Sequence, residues 1–482
     1  MEIECLLNPH NDVKDVVIIT VPWTDSMLPL MAPAALKPIV ELAGKTCLAV
    51  DLNAEIFRMT KTHPEYTKLL DFFFSEKIDP SIADWLHDLF SSIAHQILSW
   101  NPSIVGLSLF SYVCQNAGKW LAYYIKKINP SVKIVVGGAG CLDTFTGPSE
   151  YIEVMLRRGL YDYHIRGDGE NSFYQFLTGN TEYPGINDSH WKEMTRPELE
   201  SLPMPDYGDY DFEIYEKKAL PLIGSRGCVR KCTFCDYIAN WKNFRWRTAE
   251  HIFNEMINQY KKYQIRYFKF QDSLTNGNMR EFIKLTELLS DYNLRNPNES
   301  FSWSGYYIFR DITSSSEREW QLLHNSGAKN LAVGIENLNE HIRYKIGKKF
   351  SNSSIDFHLT QAKKYQISLF LLNIVGYIDE TRSDIDFIKR WLDDHVEYRD
   401  LLTIQWGGTL GIFPNTYLYE NMQNLGIIKI NKDPQQWINP ATGSVPALRA
   451  SWANELKEYS ELLGYRVANN IDNHYMLETL IK

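Results

Sequence analysis

Cys228, Cys232 and Cys235 are three of the chain's seven cysteines, and they fall within eight residues at the spacing C-x3-C-x2-C. Thiolates this close in sequence can meet one metal centre without any long-range folding, and Gly224 and Gly227 ahead of them leave the backbone free to turn. A structural zinc site asks for four protein ligands, whereas an iron–sulfur cluster tolerates three if something else fills the last iron. An iron left open in this way would bind a substrate or cofactor directly. A zinc knuckle and a surface cysteine cluster are the other readings of the spacing.

The elements that must position this loop follow it in order. The 3.6-residue period predicts helices over 248–263, 279–292, 316–326, 352–364 and 383–395. Between them lie short apolar runs at 267–270, 301–308, 330–335, 367–375 and 402–407 that read as strands. This run of β/α repeats predicts a partial (β/α)6 barrel of TIM type, with its active end at the carboxyl ends of the strands. The polar residues cluster at those ends: Gln271, Asp272 and Ser273 after one strand, Arg310 after the next and Glu336 after the third. A carboxylate at a strand end is also an ordinary helix cap, and a buried Arg–Glu combination is also an ordinary structural ion pair.

Residues ahead of about 175 alternate in the same way. Strands are expected at 16–21 (VVIITV), 46–51, 104–108, 132–136 and 163–165, with helices at 33–44 and 116–128. That order predicts an open, doubly wound, Rossmann-like parallel sheet, whose ligands bind outside the carboxyl ends of the strands. Asp25, Asp51, Ser108, Ser111 and the loop Gly137-Gly138-Ala139-Gly140 would gather there, with glycine allowing backbone to approach a large ligand.

With an aromatic, Phe234, before its last cysteine, the loop resembles the cluster loop of the radical S-adenosylmethionine (radical SAM) superfamily. Further residues carry the resemblance in the same order: Gln271–Ser273, Arg310, Gly334-Ile335-Glu336, the turn Gly376 to Thr381, and Pro414-Asn415-Thr416-Tyr417-Leu418-Tyr419-Glu420. The sheet ahead of the barrel is similar to the cobalamin-binding domain of one branch of that superfamily. Gly106-Leu107-Ser108, Gly137-Gly138 and Arg166-Gly167-Asp168-Gly169-Glu170 carry that likeness, and Leu202-Pro203-Met204-Pro205-Asp206-Tyr207 resembles the linker before the core. The resemblance implies a 4Fe–4S cluster on Cys228, Cys232 and Cys235. SAM would chelate the open iron and be cleaved by one electron to a 5′-deoxyadenosyl radical. Phe234, Gln271, Asp272, Ser273, Arg310 and Glu336 would surround SAM, Arg310 and Glu336 reaching one cavity. Ser108, Gly137 and Gly138 would face cobalamin. Methylation of an unactivated carbon is the implied outcome, and cyclisation, ring contraction or oxidation on the same scaffold is the alternative. A non-catalytic iron–sulfur redox protein is the alternative of another class. The chain departs from the pattern in lacking the D-x-H-x-x-G histidine below cobalt and in having Asn337 where Ser or Thr is usual.

The implied organisation is 1–175 cobalamin-binding-type domain, 176–216 linker, 217–430 radical SAM barrel and 431–482 a small, mostly helical carboxyl-terminal region. A net charge of −9 over 482 residues gives no basic footprint for nucleic acid, and the run 345–349 reads as a solvated helix end. No apolar run reaches the ~20 residues of a membrane helix, and the first residues lack a signal-peptide pattern. Isolated Cys5, Cys47, Cys114 and Cys141 form no disulfide framework, which fits a reducing cytoplasm. Expected partners are a small-molecule or peptide substrate and an external electron donor of flavodoxin or ferredoxin type.

Overall fold

The computed structural model describes residues 12–24, 28–75, 77–142, 149–187, 196–237, 241 and 243–468. Asp25 and Cys5 lie outside them. The chain divides into two compact units, Met1–Lys218 and Ala219–Lys482.

In the first unit a sheet of parallel strands runs in the order β2-β1-β3-β4-β5, from β1 (Val16–Thr20), β2 (Cys47–Val50), β3 (Ile104–Ser108), β4 (Lys133–Gly137) and β5 (Tyr163–Ile165). The continuous apolar run of β1 has a simple cause: both of its faces are buried. Val17 and Ile19 enter a core built with α2 (Leu52–Thr60), α3 (Tyr66–Ser75), α4 (Ala83–Ser99), α5 (Cys114–Ile128) and α6 (Glu150–Arg157). Val16 and Ile18 enter a second core with Val40 of α1 (Met31–Leu42) and Phe173 and Phe176 of α7 (Gly169–Leu177).

The segment 199–215 packs onto this unit. Lys37 Nζ lies 2.7 Å from Asp209, whose carboxylate also accepts from the Ala49 amide at 3.0 Å. Tyr210 donates to the Leu30 carbonyl at 2.9 Å. Asp51, expected at the ligand edge, is spent internally: it accepts from Thr20 Oγ1 at 2.6 Å, the Leu30 amide at 3.1 Å and Tyr215 OH at 2.8 Å.

The second unit is a parallel sheet in the order β16-β13-β12-β11-β10-β9-β6. Its strands are β6 (Ala219–Leu222), β9 (Tyr267–Phe270), β10 (Ser302–Tyr307), β11 (Ala328–Glu336), β12 (Ser368–Val375), β13 (Leu402–Thr409) and β16 (Arg466–Ala468). Helices α8 (Ala249–Tyr263), α9 (Met279–Arg295), α10 (Glu317–Asn325), α11 (Glu340–Ile346), α12 (Asn352–Lys364) and α13 (Arg382–Asp394) form the crossovers. Six strands follow in sequence order, as six β/α repeats require. Beyond them the chain adds α14 (Tyr417–Glu420), a small antiparallel pair of β14 (Ile428–Lys429) with β15 (Trp437–Ile438), and α15 (Pro446–Leu462). The tail then supplies a seventh strand, β16, beside β13. The cysteine loop hangs from a hairpin that joins β7 (Ser225–Arg226) to β8 (Arg245–Trp246) directly after β6.

Candidate active site

The three cysteines are free thiols of intermediate exposure. Burial pushes the Cys232 thiol up to about 12, with Lys348 pulling the other way, and burial also raises Cys235. Among the described residues no three His, Cys, Asp or Glu side chains stand close enough to share one metal ion. A 4Fe–4S cluster asks for a different arrangement, one thiolate on each of three irons. The donor set here, three thiols on one pinned loop, fits that demand.

The loop is pinned from several elements. The Thr233 amide donates to the Ile346 carbonyl at 2.9 Å, Thr233 Oγ1 meets Tyr377 OH at 3.0 Å, and the Leu418 amide donates to the Thr233 carbonyl at 3.1 Å. Cys232 and Phe234 pack against an apolar cluster that includes Ile342, Ile346, Tyr377 and Leu418. The motif around Leu418 is therefore legible as a backbone brace on the cysteine loop.

Of the residues after β9, Gln271 keeps an exposed side chain, and Ser273 is half-buried beside the Tyr237 hydroxyl. Asp272 departs from the expectation that it faces SAM. Its carboxylate accepts from the Gly224 amide at 2.7 Å and from Ser225 Oγ at 2.9 Å, so it clasps the start of the cysteine loop. Fully enclosed, it is pushed by burial to about 7, against the pull of those bonds and of Arg247.

Arg310 and Glu336 do not meet. Arg310 pairs with Glu319 of α10, which also accepts from Tyr307 OH. The helix following β10 thus captures the guanidinium. Glu336 instead pairs with Lys348 at 3.0 Å. Lys348, in the run read as a solvated helix end, is 9% exposed. Glu336 sits at φ +65°, and its carboxylate folds back over Gly334. A Cβ on Gly334 would stand 2.5 Å from Glu336 Oε1 and 2.9 Å from Lys348 Nζ, so glycine is what lets the pair close there.

Asn337 donates to Glu380 at 2.6 Å, and Glu380 also accepts from the Gly376 and Tyr377 amides, so the ends of β11 and β12 are joined. Burial pushes Glu380 up to about 7. Arg343, fully buried, donates to the Asn337 carbonyl at 3.0 Å, the Phe350 carbonyl at 3.0 Å and Asn352 Oδ1 at 2.7 Å. It thereby fixes the excursion that carries Lys348. Neither Arg343 nor Lys348 belongs to a strand-end motif, which is why motif reading passes over them.

In the first unit the loops after β1, β3 and β4 are knitted together at the carboxyl edge. The Val21 amide donates to the Ser108 carbonyl at 3.1 Å, the Leu109 amide to Gly137 at 2.9 Å, and the Gly140 amide to Leu109 at 2.9 Å. Gly138 has φ +102°, and a Cβ there would overlap the Leu109 carbonyl. The close approach that these glycines permit is thus to a neighbouring loop. Beside them Phe110 and Tyr112 are 55% and 70% exposed. Flat aromatic rings with glycine backbone at the edge of a parallel sheet fit the face of a planar macrocycle. On β5, His164 is buried with neither ring nitrogen hydrogen-bonded, and burial followed by the Arg166 charge depresses it to about 3.

A parallel sheet of β/α repeats carries the three-cysteine loop at one strand's carboxyl end, and residues 222–392 match the sequence profile of the radical SAM superfamily. Over 348 residues it is 28% identical to an uncharacterized methyltransferase of Pyrococcus horikoshii, a match spanning 67% of this chain and 72% of that protein. It is 23% identical over 292 residues to an anaerobic magnesium-protoporphyrin IX monomethyl ester cyclase of Synechocystis, spanning 56% of this chain and 54% of the cyclase. In fold it is similar to the radical SAM methyltransferase TsrM of Kitasatospora setae, solved with cobalamin and a 4Fe–4S cluster, with a TM-score of 0.66 at 14% identity over 96% of this chain and 94% of TsrM. The cobalamin-dependent radical enzyme OxsB gives 0.57 at 17% identity over 86% of this chain and 55% of OxsB. Among the described residues no helix is long and apolar enough to cross a membrane.

Proposed function

We propose that this chain is a cobalamin-dependent radical SAM methyltransferase acting on an unactivated carbon of a small-molecule or peptide substrate. The observation that carries the reading is the pinned Cys228–Cys232–Cys235 loop at the carboxyl end of β6, preceded in the same chain by a parallel-sheet unit with an exposed aromatic and glycine edge. Cys228, Cys232 and Cys235 would hold a 4Fe–4S cluster, whose reduced form supplies the electron that cleaves SAM. Cobalamin would supply the methyl group, lying against Ser108, Gly137, Gly138, Phe110 and Tyr112. With Asp272 and Arg310 engaged elsewhere, Gln271, Ser273 and Glu336 are the residues left to orient SAM, and Phe234 holds the loop against its apolar support. The electron would come from a flavodoxin- or ferredoxin-type carrier, in a reducing cytoplasm. The protein's own part is orientation and exclusion of water.

The test is anaerobic purification from cobalamin-supplied cells, a metal count, and incubation with SAM and reductant. Stoichiometric cobalt, about four irons per chain, and formation of both S-adenosylhomocysteine and 5′-deoxyadenosine are expected. Iron without cobalt, or no 5′-deoxyadenosine, overturns the reading. The likeness to the cyclase favours one alternative, ring closure on the same scaffold. That outcome would give 5′-deoxyadenosine with no S-adenosylhomocysteine.

A further inference from the structure

Lys348 is a buried cation beside a metal-binding loop, and no strand-end motif accounts for it. Its ammonium is held 3.0 Å from Glu336 and lies over Gly334. The strap that delivers it runs against the loop at Lys231, Cys232 and Thr233. A Cβ on Gly347 would stand 3.2 Å from the Lys231 carbonyl oxygen and 3.5 Å from Cys232 Cα, and the Ile346 carbonyl accepts from the Thr233 amide at 2.9 Å. Four hydrogen bonds from the buried Arg343 fix the strap from behind.

We propose that the Lys348 ammonium is a positioning residue that sets the reduction potential of the cluster on Cys228, Cys232 and Cys235, making it easier to reduce. The inference rests on the reading above in so far as the loop binds a cluster. Such potentials follow net charge, bonds to the sulfurs and solvent exposure. Reduction adds one electron, delivered by the external carrier or by dithionite in vitro, and no proton need move, because Lys348 stays charged throughout. A fixed cation favours the state with the extra negative charge, and in an enclosed site little water screens it. Glu336 offsets part of this field while anchoring its source.

The experiment compares wild type with K348M and K348R, each reconstituted anaerobically, counted for iron and titrated potentiometrically by electron paramagnetic resonance. K348M is expected to bind a full cluster whose reduced-to-oxidised ratio at a fixed potential falls about tenfold, about 59 mV for one electron. K348R is expected to restore most of the shift. A fully loaded K348M with an unchanged midpoint overturns the proposal. Equal loss of iron from K348M and K348R also overturns it, since Lys348 would then matter for packing. An unchanged midpoint with weakened SAM perturbation of the signal overturns it in favour of a SAM contact. A wild-type protein that assembles no 4Fe–4S cluster defeats the functional reading itself, which keeps the two failures distinct.

Discussion

Replacing Asp272 with asparagine tests how the start of the cysteine loop is held. Asp272 is fully enclosed, and burial raises it from its ordinary 3.8 to about 7. The sign follows from linkage: the folded state keeps this proton to a higher pH than the unfolded state, so stability from this group is lost as pH climbs from about 4 to about 7 and is level above that. Each tenfold step is worth about 1.4 kcal/mol, so the ionised protein carries a cost of about 4 kcal/mol, about 3 of it between pH 5 and pH 8. Asparagine cannot ionise, and it keeps the geometry. Its Oδ1 can accept from the Gly224 amide, and Ser225 Oγ can accept from its Nδ2 while donating to the Leu274 carbonyl, already 3.3 Å away. Urea unfolding of wild type and D272N, followed by tryptophan fluorescence at both pH values, gives the difference directly. D272N should gain on wild type by about 2–3 kcal/mol more at pH 8 than at pH 5. Glu380 titrates in the same window with the same sign, whereas His164 and His358, depressed by burial to about 3 and about 4, lose stability as pH falls below about 6.5. These contributions are common to both proteins and cancel. A difference that does not vary with pH would refute the enclosed, proton-holding carboxyl.

Serine at Cys228, Cys232 or Cys235 should abolish the 4Fe–4S absorption and 5′-deoxyadenosine while leaving the far-ultraviolet circular dichroism intact, and a serine variant with full iron would remove that cysteine from the ligand set. Gly138→Ala should cost the first unit about 1–3 kcal/mol, because φ +102° and the Leu109 carbonyl both exclude a Cβ; cobalt per folded chain should fall with it, and unchanged cobalt and stability would disprove the crowding. A double-mutant cycle on Arg310 and Glu319 should return a coupling of about 1–3 kcal/mol in unfolding, with SAM binding to R310K close to wild type. Additive losses, or SAM affinity falling with Arg310, would restore Arg310 to the site.

Much of the second unit was legible because period and punctuation agree. The strand over 267–270 is found at those residues, and the helix over 352–364 likewise. The side-chain partners were less so, and particular residues show why. Arg310 stands at a strand end, as a ligand-facing arginine would, but the competing carboxylate Glu319 lies one helix later and only the crossover brings it back. Lys348 shares a run with Lys345 and Lys349, which are exposed, and charge patterning alone cannot separate the one lysine that a strap turns inward. The helices over 52–99 follow a strand that already accounts for the sheet order, so nothing in the alternation demanded them. The strand Arg466–Ala468 is three residues long, too short to carry a period.

The strand-end motifs divide by what their side chains do. Asp272 clasps Gly224 and Ser225, the Asn337–Glu380 bond joins two strand ends, and Tyr377 and Leu418 hold Thr233. Of these, Asp272, Tyr377 and Leu418 brace the cysteine loop. The bracing has a chemical reason. Burial raises Cys232 and Cys235, so without metal these two side chains are held as neutral thiols rather than as thiolates. Metal ligation requires the deprotonated form and therefore releases protons on binding. A loop whose position is already fixed by the barrel gives up little conformational freedom at that moment, so more of the ligation energy is available to drive the protons off. Lys348 favours the same step, since a buried cation beside Cys232 stabilises thiolate over thiol before it acts on any bound cluster.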